Sequence, residues 1–590
     1  MSSEPFTDSR RLTGSNVYFA STGAALETAP KLAFDDDALE RWQHNIIIAR
    51  EALGWPDHAI VARRHATGAS LAFAAPLDQL YTATEVNEWA WRKAIISHRE
   101  EHPRSPGHPS AAETDSAIGT LRALARSEAQ PQLMALHQQA IAHGLPVLID
   151  DDMLSIGSGS GSRCWPIEIL PDSNDVDWSS LHDIPTALVT GSNGKTTTVR
   201  LLAAMCRASG LHTAYSCTDG VFIDAQALEA GDFSGPTGAR TALRQPKAQA
   251  AILETARGGI LRRGLAVEHA DVAVVTNISA DHFGEYGIHD LDTLAAVKLT
   301  VARALKPATT RIPDARPGLL VLNADDASTR EHARQLDCAI GWFARDDDHP
   351  LLASHRHAGG ATCGVRDGRM QLAFDNGTYD LGEVAAMPLT VAGSAAYNVS
   401  NCLGAALGAV GMGIVPANIA EVLAQFGLTQ ADNPGRLQHW QFGSADAWLD
   451  YAHNPDGLRG LLGVVRNAHP RGRLGLILGQ AGNRDDEDIR ALAAVAAEFE
   501  PALVVLKDIE GYARGRESGA VATILRDALQ MHADASHAKI EFRADEVQAA
   551  KALLSWAEAD DVLVLPIHGS QAREEVTQLL DRLVASGWTP

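Results

Sequence analysis

The segment ALVTGSNGKTTTVRLL, residues 187–202, contains the residue types that bind phosphate. An apolar run leads into a loop with two glycines, Gly191 and Gly194, and then into a helix start. Glycines let the backbone approach phosphate oxygens closely, and a helix N-terminus attracts an anion. Lys195 is placed to contact terminal phosphates, and Thr196 to reach a magnesium ion. The segment predicts a phosphate loop, since a plain glycine turn does not account for the GKTT.

The loop departs at one position from the general pattern G-x-x-x-x-G-K-[ST]. Val189 stands where that pattern has its first glycine. The variant TGSNGKTT resembles the ATP loop of the Mur ligase family, whose members couple ATP cleavage to amide-bond formation. The resemblance implies that ATP is bound by Gly191, Asn193, Gly194, Lys195, Thr196 and Thr197.

Three further positions resemble the Mur metal site, which with Thr196 would hold Mg²⁺. Glu254 ends the apolar run AAILE, and a carboxylate at a strand's carboxyl end suits magnesium. His282 follows the run VAVVTN in an Asp-His pair, where α/β sites gather. Lys298 lies on a later helix, and the resemblance implies that it is carbamylated and binds magnesium. The alternatives are a helix-capping acid, a structural histidine and a solvated lysine.

Two more segments resemble the family's nucleotide contacts. In GSAAYNVSNCLGAA, Asn398 and Asn401 lie one helical turn apart, and amides suit the edge of adenine. Helix capping is the alternative for either asparagine alone. The segment NPGR ends in Arg436, for which the resemblance implies a phosphate contact. In LDYAHNPDGL, it implies that Asp450 and His453 help hold the nucleotide between domains.

The resemblance also implies a mechanism. A substrate carboxylate attacks the γ-phosphate, an acyl phosphate forms, and an amine displaces phosphate to leave ADP, phosphate and an amide. Positive groups offset the charge of phosphoryl transfer, and closure of the C-terminal domain excludes water. The catalytic residues implied are Lys195, Glu254, His282, Lys298, Arg436 and Asp450.

Other segments resemble the Mur-type part of the cyanophycin synthetases, a family that polymerises aspartate and arginine. They are TDGVFID, GDFSGPTGAR, LETARGGILRRGL, NPGRLQ and ARGRESG. This resemblance covers about residues 184–590 and implies that an amino acid is joined to a small-molecule or peptide carboxylate. The segments SLAFAAPLDQLYTATEVNEWAWRKAI and AIAHGLPVLIDDDMLSIGSGSG resemble the N-terminal region of the same family.

The chain departs from that family in two ways. The family's ATP-grasp domain, which adds aspartate, is absent, so we expect that this chain does not make the polymer alone. A separate ATP-grasp ligase is therefore a candidate partner. The segments GNRDDED and RGRESGA differ from the family's G-D-R-R-D-E-D and R-G-R-x-x-G-E. They retain Arg484, Arg514 and Arg516, which are candidates for gripping a substrate carboxylate, with surface salt bridges as the alternative.

The elements that position these residues fall into three predicted domains. Residues 1–172 mix helical patterns with the strand-like LPVLIDD. Residues 183–432 alternate apolar strands such as PTALVT and VAVVTN with helices, which predicts a parallel sheet buried on both faces. Residues 433–590 repeat the pattern in a smaller doubly wound domain. The fold class predicted is α/β: a Mur-ligase-like phosphate-loop ATPase domain, a smaller Rossmann-like C-terminal domain, and a mixed α+β N-terminal domain.

Composition excludes several function classes. With 50 basic and 73 acidic residues, the net charge of −23 argues against nucleic-acid binding. No apolar run is long enough for a membrane helix, and the polar N-terminus lacks a signal peptide, so we expect a cytoplasmic protein without membrane contact. The six cysteines form no CxxC pair and predict buried thiols in a reducing compartment. The family resemblance implies a homo-oligomer.

Four functions remain as hypotheses. The first is an ADP-forming amide ligase related to the cyanophycin synthetases. The second is a peptidoglycan-precursor Mur ligase, which the N-terminal block disfavours. The third is a non-catalytic partner of a separate ATP-grasp enzyme, which the intact Lys195 and Glu254 disfavour. The fourth is a nucleotide kinase, which gives DYAHNP no role.

Overall fold

A computed structural model gives the fold. It describes residues 4–30, 32–95, 113–280, 283–307, 317–532 and 537–590. The predicted site residue His282 lies outside these ranges, as does most of the predicted break at 102–116.

The N-terminal part contains two small sheets and four helices. The strands are β1 (Phe6–Leu12), β2 (Gly23–Thr28), β3 (Ile60–His65), β4 (Gly68–Ala74), β5 (Val147–Ile149), β6 (Met153–Ile156) and β7 (Arg163–Pro166). The helices are α1 (Asp36–Leu53), α2 (Leu80–Ile95), α3 (Thr114–Glu128) and α4 (Pro131–Ala142). The first sheet has the antiparallel order β1-β2-β4-β3, and α1 to α3 cover it through a core that contains Trp42, Trp89 and Trp91. The second sheet has the order β5-β6-β7 and contacts the middle part, where Arg244 Nε donates to Ser155 Oγ at 3.0 Å.

The middle part is built on one sheet of 11 strands. The strands are β8 (Thr186–Thr190), β9 (Thr213–Cys217), β10 (Gly220–Ile223), β11 (Gln226–Ala230), β12 (Ala250–Glu254), β13 (Val272–Val275), β14 (Leu319–Asn323), β15 (Ala339–Phe343), β16 (Ala361–Arg366), β17 (Arg369–Phe374) and β18 (Gly377–Glu383). The helices are α5 (Lys195–Ala208), α6 (Pro236–Leu243), α7 (Arg257–Arg263), α8 (Leu291–Leu299), α9 (Ala327–Ala333), α10 (Pro350–His357), α11 (Ala396–Gly411) and α12 (Pro416–Gln425).

The strand order of this sheet explains where its site lies. The order is β11-β10-β9-β12-β8-β13-β14-β15-β16-β17-β18, with parallel pairing from β9 to β16. The chain leaves β8 toward β9 and β12 on one side and later enters β13 on the other, so the connections diverge at β8. Ligands bind at such a switch point, outside the carboxyl ends of the strands.

Both faces of this sheet are buried. Along β8, Ala187 and Val189 join an apolar cluster with α5, α11 and α12. Leu188 joins the cluster on the opposite face with α6, α7 and α8. The prediction of a parallel sheet between two helical layers is therefore confirmed.

The C-terminal part repeats this architecture on a smaller scale. Its strands are β19 (Gln438–Phe442), β20 (Ala445–Asp450), β21 (Leu474–Leu478), β22 (Leu503–Lys507), β23 (Lys539–Arg543) and β24 (Val562–Pro566). Its helices are α13 (Pro455–Ala468), α14 (Asp486–Ala497), α15 (Ala520–Met531), α16 (Glu546–Trp556) and α17 (Ser570–Ala585). The order is β19-β20-β24-β21-β22-β23, parallel except for β19. Helices α13 to α15 cover one face, and α16 and α17 cover the other.

The N-terminal part docks on helix α7 of the middle domain. Thr13 donates its backbone N–H to Arg263 O at 2.7 Å, and Leu265 donates to Ser15 O at 2.7 Å. The buried guanidinium of Arg10 donates to Leu261 O at 2.9 Å and pairs with Glu27 at 2.8 Å. The N-terminal part thus holds the helix that follows strand β12.

The predicted fold class is confirmed in all three of its components. The predicted boundaries at residues 172, 183 and 433 stay a prediction, although each sheet falls within one predicted block. The sequence patterns do not predict helix α3, because its first turn lies in the polar break at 102–116. Over the described residues, every helix is too short or too polar to cross a membrane. Four of the six cysteines are buried, while Cys164 and Cys338 are partly exposed.

One buried ion pair organises the strand ends of the C-terminal sheet. The ammonium of Lys507, fully buried at the end of β22, contacts Glu546, donates to Pro566 O at 2.7 Å and lies 3.2 Å from His568 Nδ1. Glu546 also accepts the backbone N–H groups of His568 and Gly569 at 2.7 and 2.8 Å. Burial opposes the charge of this carboxylate, but the ammonium of Lys507 and the backbone N–H of His568 outweigh it and lower the pKa of Glu546 to about 2.

We predict that Glu546→Gln destabilises the protein by about 3 kcal/mol at pH 7, since it leaves a buried ammonium unpaired. Because the pKa of Glu546 is lower in the folded protein, its ionised carboxylate stabilises the fold fully above the unfolded value near 4.5. This stabilisation is lost as the pH falls toward 2. The difference in unfolding free energy between wild type and Glu546→Gln should therefore shrink as the pH falls from 4.5 toward 2. Urea unfolding at pH 7, 4 and 3 measures it. Glu558→Gln, at an exposed pair with Arg473, is the matched control; equal losses in the two variants would contradict the account.

Candidate functional site

The phosphate loop connects β8 to α5 and needs both of its glycines. Gly191 has φ 148°, and Gly194, the N-cap of α5, has φ 83°. A Cβ on Gly191 would lie 1.9 Å from Thr276 Oγ1, and one on Gly194 would lie 2.1 Å from Asn401 Oδ1. Both positions therefore exclude a side chain by conformation and by space.

The loop is held in place by hydrogen bonds within the protein. Thr276 Oγ1 donates to Asn193 O at 2.6 Å, and Asn193 N donates to Asn277 Oδ1 at 3.0 Å. Lys195 Nζ donates to Gly191 O at 3.1 Å and to Ser192 O at 3.2 Å. The start of α5 and this ammonium together form a preorganised anion site.

Next to the loop, a buried carboxylate lies at the end of β12. Glu254 is 1% exposed; its Oε2 accepts from Thr196 Oγ1 at 2.8 Å, and its Oε1 accepts from Thr218 Oγ1 at 2.9 Å. The parallel pairing of β12 with β8 brings this carboxylate to the loop. Hydroxyl and carboxylate oxygens beside a phosphate site are the donors that Mg²⁺ prefers, so these residues fit the predicted ion.

Of the other two predicted metal ligands, the structure describes Lys298 but not His282. Lys298 on α8 is buried and lines the same cavity as the phosphate loop. His282 is outside the described ranges. Within those ranges, no three His, Cys, Asp or Glu side chains converge as a metal-binding group. Thr196 and Glu254 meet beside the phosphate loop, and the binding of Mg²⁺ by these residues, His282 and Lys298 stays a prediction.

The two predicted adenine contacts lie side by side on α11. Asn398 and Asn401 both line the cavity, and Asn401 Nδ2 donates to Asn398 Oδ1 at 3.1 Å. Asn398 Nδ2 donates to Leu389 O at 2.9 Å. Both amide nitrogens therefore bind protein oxygens, and Asn401 also packs against the loop at Gly194. Their contact with adenine stays a prediction.

The C-terminal domain supplies the opposite wall. Arg436, in the linker before β19, lies with its Nη2 3.5 Å from Thr196 Oγ1 and its guanidinium 4.3 Å from the ring centre of Tyr451. Asp450 accepts from Leu437 N at 2.7 Å, and burial outweighs Arg436 to raise the pKa of Asp450. His453 also lines the cavity.

The two domains also touch at the loop itself. Asn454 Nδ2 donates to Asn193 Oδ1 at 2.9 Å, and Asn433 Nδ2 donates to Thr197 Oγ1 at 3.2 Å. These contacts close a cavity of about 780 Å³, a size within the range of small-molecule sites.

The predicted substrate arginines separate in the structure. Arg484 and Arg514 line the cavity. Arg516 is absent from the described lining; its guanidinium donates to Gly482 O at 2.8 Å and Arg484 O at 2.7 Å. Arg516 therefore shapes the loop that carries Arg484, and a direct substrate contact for any of the three stays a prediction.

Sequence reasoning missed a second group of arginines in the cavity. Arg257, Arg262 and Arg263 project from α7, the helix that follows Glu254. Arg257 pairs with Glu285 at 2.6 Å, so it also orders the segment that follows the Asp-His pair in the sequence. The segment LETARGGILRRGL contains these three arginines, but the sequence does not give the direction of their side chains.

A buried histidine was missed as well. His568, just after β24, lines the cavity, and its Nε2 lies 3.0 Å from Ala452 O. Burial, aided by the charge of Lys507, holds the pKa of His568 well below its usual value. The neutral ring accepts from Lys507 at Nδ1 and donates to Ala452 O from Nε2, which fixes the DYAHNP loop.

Family comparisons match both large domains. Residues 189–409 match the family described as the Mur ligase middle domain, and residues 435–566 match the Mur ligase glutamate ligase domain. The chain is 36% identical to the cyanophycin synthetase of Trichormus variabilis, over 66% of this chain and 42% of that protein. For the cyanophycin synthetase of a Synechocystis species the values are 35%, 66% and 43%.

A second group of relatives is covered more fully. The UDP-N-acetylmuramoyl-L-alanyl-D-glutamate–2,6-diaminopimelate ligase of Xanthomonas campestris is 31% identical over 66% of this chain and 73% of that protein. The chain thus spans less than half the length of the cyanophycin synthetases it matches, and about three quarters of this ligase.

We predict that Gly194→Ala weakens binding of the ATP analogue AMP-PNP at least tenfold, because the new Cβ displaces Asn401 and the loop. Gly210→Ala is the matched control: Gly210 follows the end of the same helix and has the same φ of 83°, but no atom of the described residues lies within 4 Å of its added Cβ. Both variants carry the left-handed backbone cost of about 1 kcal/mol. Calorimetric titration with Mg²⁺ and AMP-PNP separates them; equal affinities would contradict the steric account.

Proposed function

The chain belongs to the Mur ligase family, and we propose that it is an ATP-dependent, ADP-forming ligase that activates a carboxylate as an acyl phosphate and joins it to an amino acid amine. The observation that carries this proposal is the cavity between the two domains. A preorganised phosphate loop forms one wall, and Arg436 with the C-terminal strand ends forms the other.

Phosphoryl transfer needs positive groups around the transferred phosphate. Lys195 and the N-terminus of α5 would contact its oxygens from one side, and Arg436 from the other. Thr196 and Glu254 would hold Mg²⁺, which supplies further positive charge to the phosphates.

The acceptor acid would lie against the arginine-rich part of the cavity. Arg257, Arg262 and Arg263 line it from the middle domain, and Arg484 and Arg514 line it from the C-terminal domain. Guanidinium groups bind carboxylates in a bidentate manner and would align one oxygen with the γ-phosphate. The amine then attacks the acyl phosphate, and phosphate leaves. Enclosure between the domains would protect that intermediate from water.

The substrate pair follows from the relatives only as a proposal. The cyanophycin synthetase relatives favour an amino acid or peptide carboxylate as the acid and an amino acid as the amine. A separate ATP-grasp ligase as partner, and a homo-oligomer, belong to the same proposal. The diaminopimelate ligase relative favours a second candidate, a ligase that acts on a UDP-linked peptide.

The test is release of ADP and phosphate by the purified chain with Mg-ATP, measured against each amino acid. Each assay is run with no acceptor, an aspartate-rich peptide, a β-aspartyl-arginine acceptor or a UDP-linked muramyl peptide, and products are weighed by mass spectrometry. Turnover that needs both acid and amine, with a product heavier by one residue, supports the proposal and names the substrates. ATP binding without turnover in any pairing would contradict it.

We predict that Lys195→Ala reduces ADP formation at least a hundredfold in whichever pairing is active, since it removes a positive charge from the transition state. Lys247→Ala, an exposed lysine of the same domain, is the control and should retain wild-type rates. Initial rates from a coupled ADP assay, with thermal melting to verify folding, provide the measurement. Retained turnover in the Lys195 variant would rule out this loop as the phosphate site.

A further inference from the structure

A carboxylate behind the phosphate loop contacts three arginines. Asp219 lies in the turn between β9 and β10, with its side chain 14% exposed. Its Oδ2 accepts from Arg200 Nη2 at 2.7 Å and lies 3.7 Å from Arg436 Nη2. Its Oδ1 accepts a hydrogen bond from Arg573. Burial opposes the charge of Asp219, but Arg436, Arg200 and Arg573 outweigh it and hold its pKa below the usual value.

The three arginines come from separate parts of the chain. Arg200 lies on α5, the helix that begins with Lys195, and also donates to Pro434 O at 2.9 Å in the linker between the large domains. Arg436 ends that linker. Arg573 lies on α17 of the C-terminal domain and donates to His568 O at 2.7 Å. Asp219 therefore joins the helix of the phosphate loop, the linker and the C-terminal domain.

Two of these groups act on the cavity from outside it. Asp219 and Arg573 are not among its described lining residues, whereas Arg436 is. Arg573 and Arg436 both lie over the Tyr451 ring, at 4.9 and 4.3 Å from its centre. Apart from a through-space effect of charge, an effect of Asp219 or Arg573 on a ligand in the cavity then passes through Arg436, Tyr451 or the position of the C-terminal domain.

We propose that Asp219 is a positioning residue for nucleotide binding: it holds Arg436 at the phosphate loop and, by its ion pair with Arg573, holds the C-terminal domain against the loop. The proposal rests on the nucleotide site of the proposed function. Because the cavity walls come from both domains, contacts that favour their closed arrangement raise the affinity for a ligand bound between them.

The sign of the effect distinguishes this role from simple electrostatics. Asp219 is an anion near the predicted position of the phosphates. If its charge acted only through space, Asp219→Asn would strengthen nucleotide binding. A positioning role predicts weaker binding, because two buried guanidinium groups and the partly buried one of Arg436 lose their common partner, and Arg436 leaves its position.

The experiment is calorimetric titration of the full chain with AMP-PNP and Mg²⁺. The variants are Asp219→Asn, Arg573→Gln, the two combined, and Arg573→Lys. We expect Asp219→Asn and Arg573→Gln each to weaken the affinity about tenfold. The double variant should bind no more than about threefold less tightly than the single variant of lower affinity, since the two substitutions remove the same interaction. Arg573→Lys should recover part of the loss. The control Arg582→Gln, exposed on the same helix, should match wild type.

Each contrary outcome has a defined meaning. Unchanged or tighter binding by Asp219→Asn, or additive losses in the double variant, would overturn the positioning role and leave the proposed function intact. Failure of the wild type to bind AMP-PNP would overturn both. Should Asp219→Asn not fold, as thermal melting reports, Arg573→Gln and Arg573→Lys carry the test: wild-type affinity in Arg573→Gln would overturn the role.

Discussion

The cavity depends on one meeting point, where the carboxylate of Asp219 contacts guanidinium groups from α5, the interdomain linker and α17. The phosphate loop alone is a general anion site, and loops of this kind serve many chemistries. The second wall, which carries Arg436 and Asp450, comes from another domain. The contact of Asp219 with these arginines joins the middle and C-terminal parts, and therefore fixes the wall with Arg436 and Asp450 opposite the phosphate loop.

The charge distribution explains how an acidic chain accommodates phosphates and carboxylates. The net charge is −23, yet eight lysine or arginine side chains line the cavity among the described residues. They are Lys195, Arg257, Arg262, Arg263, Lys298, Arg436, Arg484 and Arg514. Six carboxylates line the same cavity, so its lining has a small excess of positive groups although the chain as a whole is acidic. A cleft with low-dielectric walls focuses the field of such groups. The N-terminal part contributes indirectly, since it holds the helix that carries three of these arginines.

Sequence reasoning succeeded where local spacing determines the structure. The apolar strands predicted the parallel sheet, and the loop residues and Glu254 meet in the structure because β12 pairs with β8. It failed where contacts join distant positions. Asp219 and Arg573 are 354 residues apart, and neither spacing nor composition relates them. Arg516 illustrates another limit, since the sequence reveals an arginine near the site but not whether it faces substrate or a neighbouring carbonyl.

The central claim is that a carboxylate is activated by direct phosphorylation. Turnover with the acid labelled by ¹⁸O in its carboxylate tests this most directly, because an acyl phosphate transfers one carboxylate oxygen to the phosphate released. The account predicts one ¹⁸O atom in inorganic phosphate for each amide formed, with ADP unlabelled. Inorganic phosphate free of label, or label appearing in AMP, would contradict it.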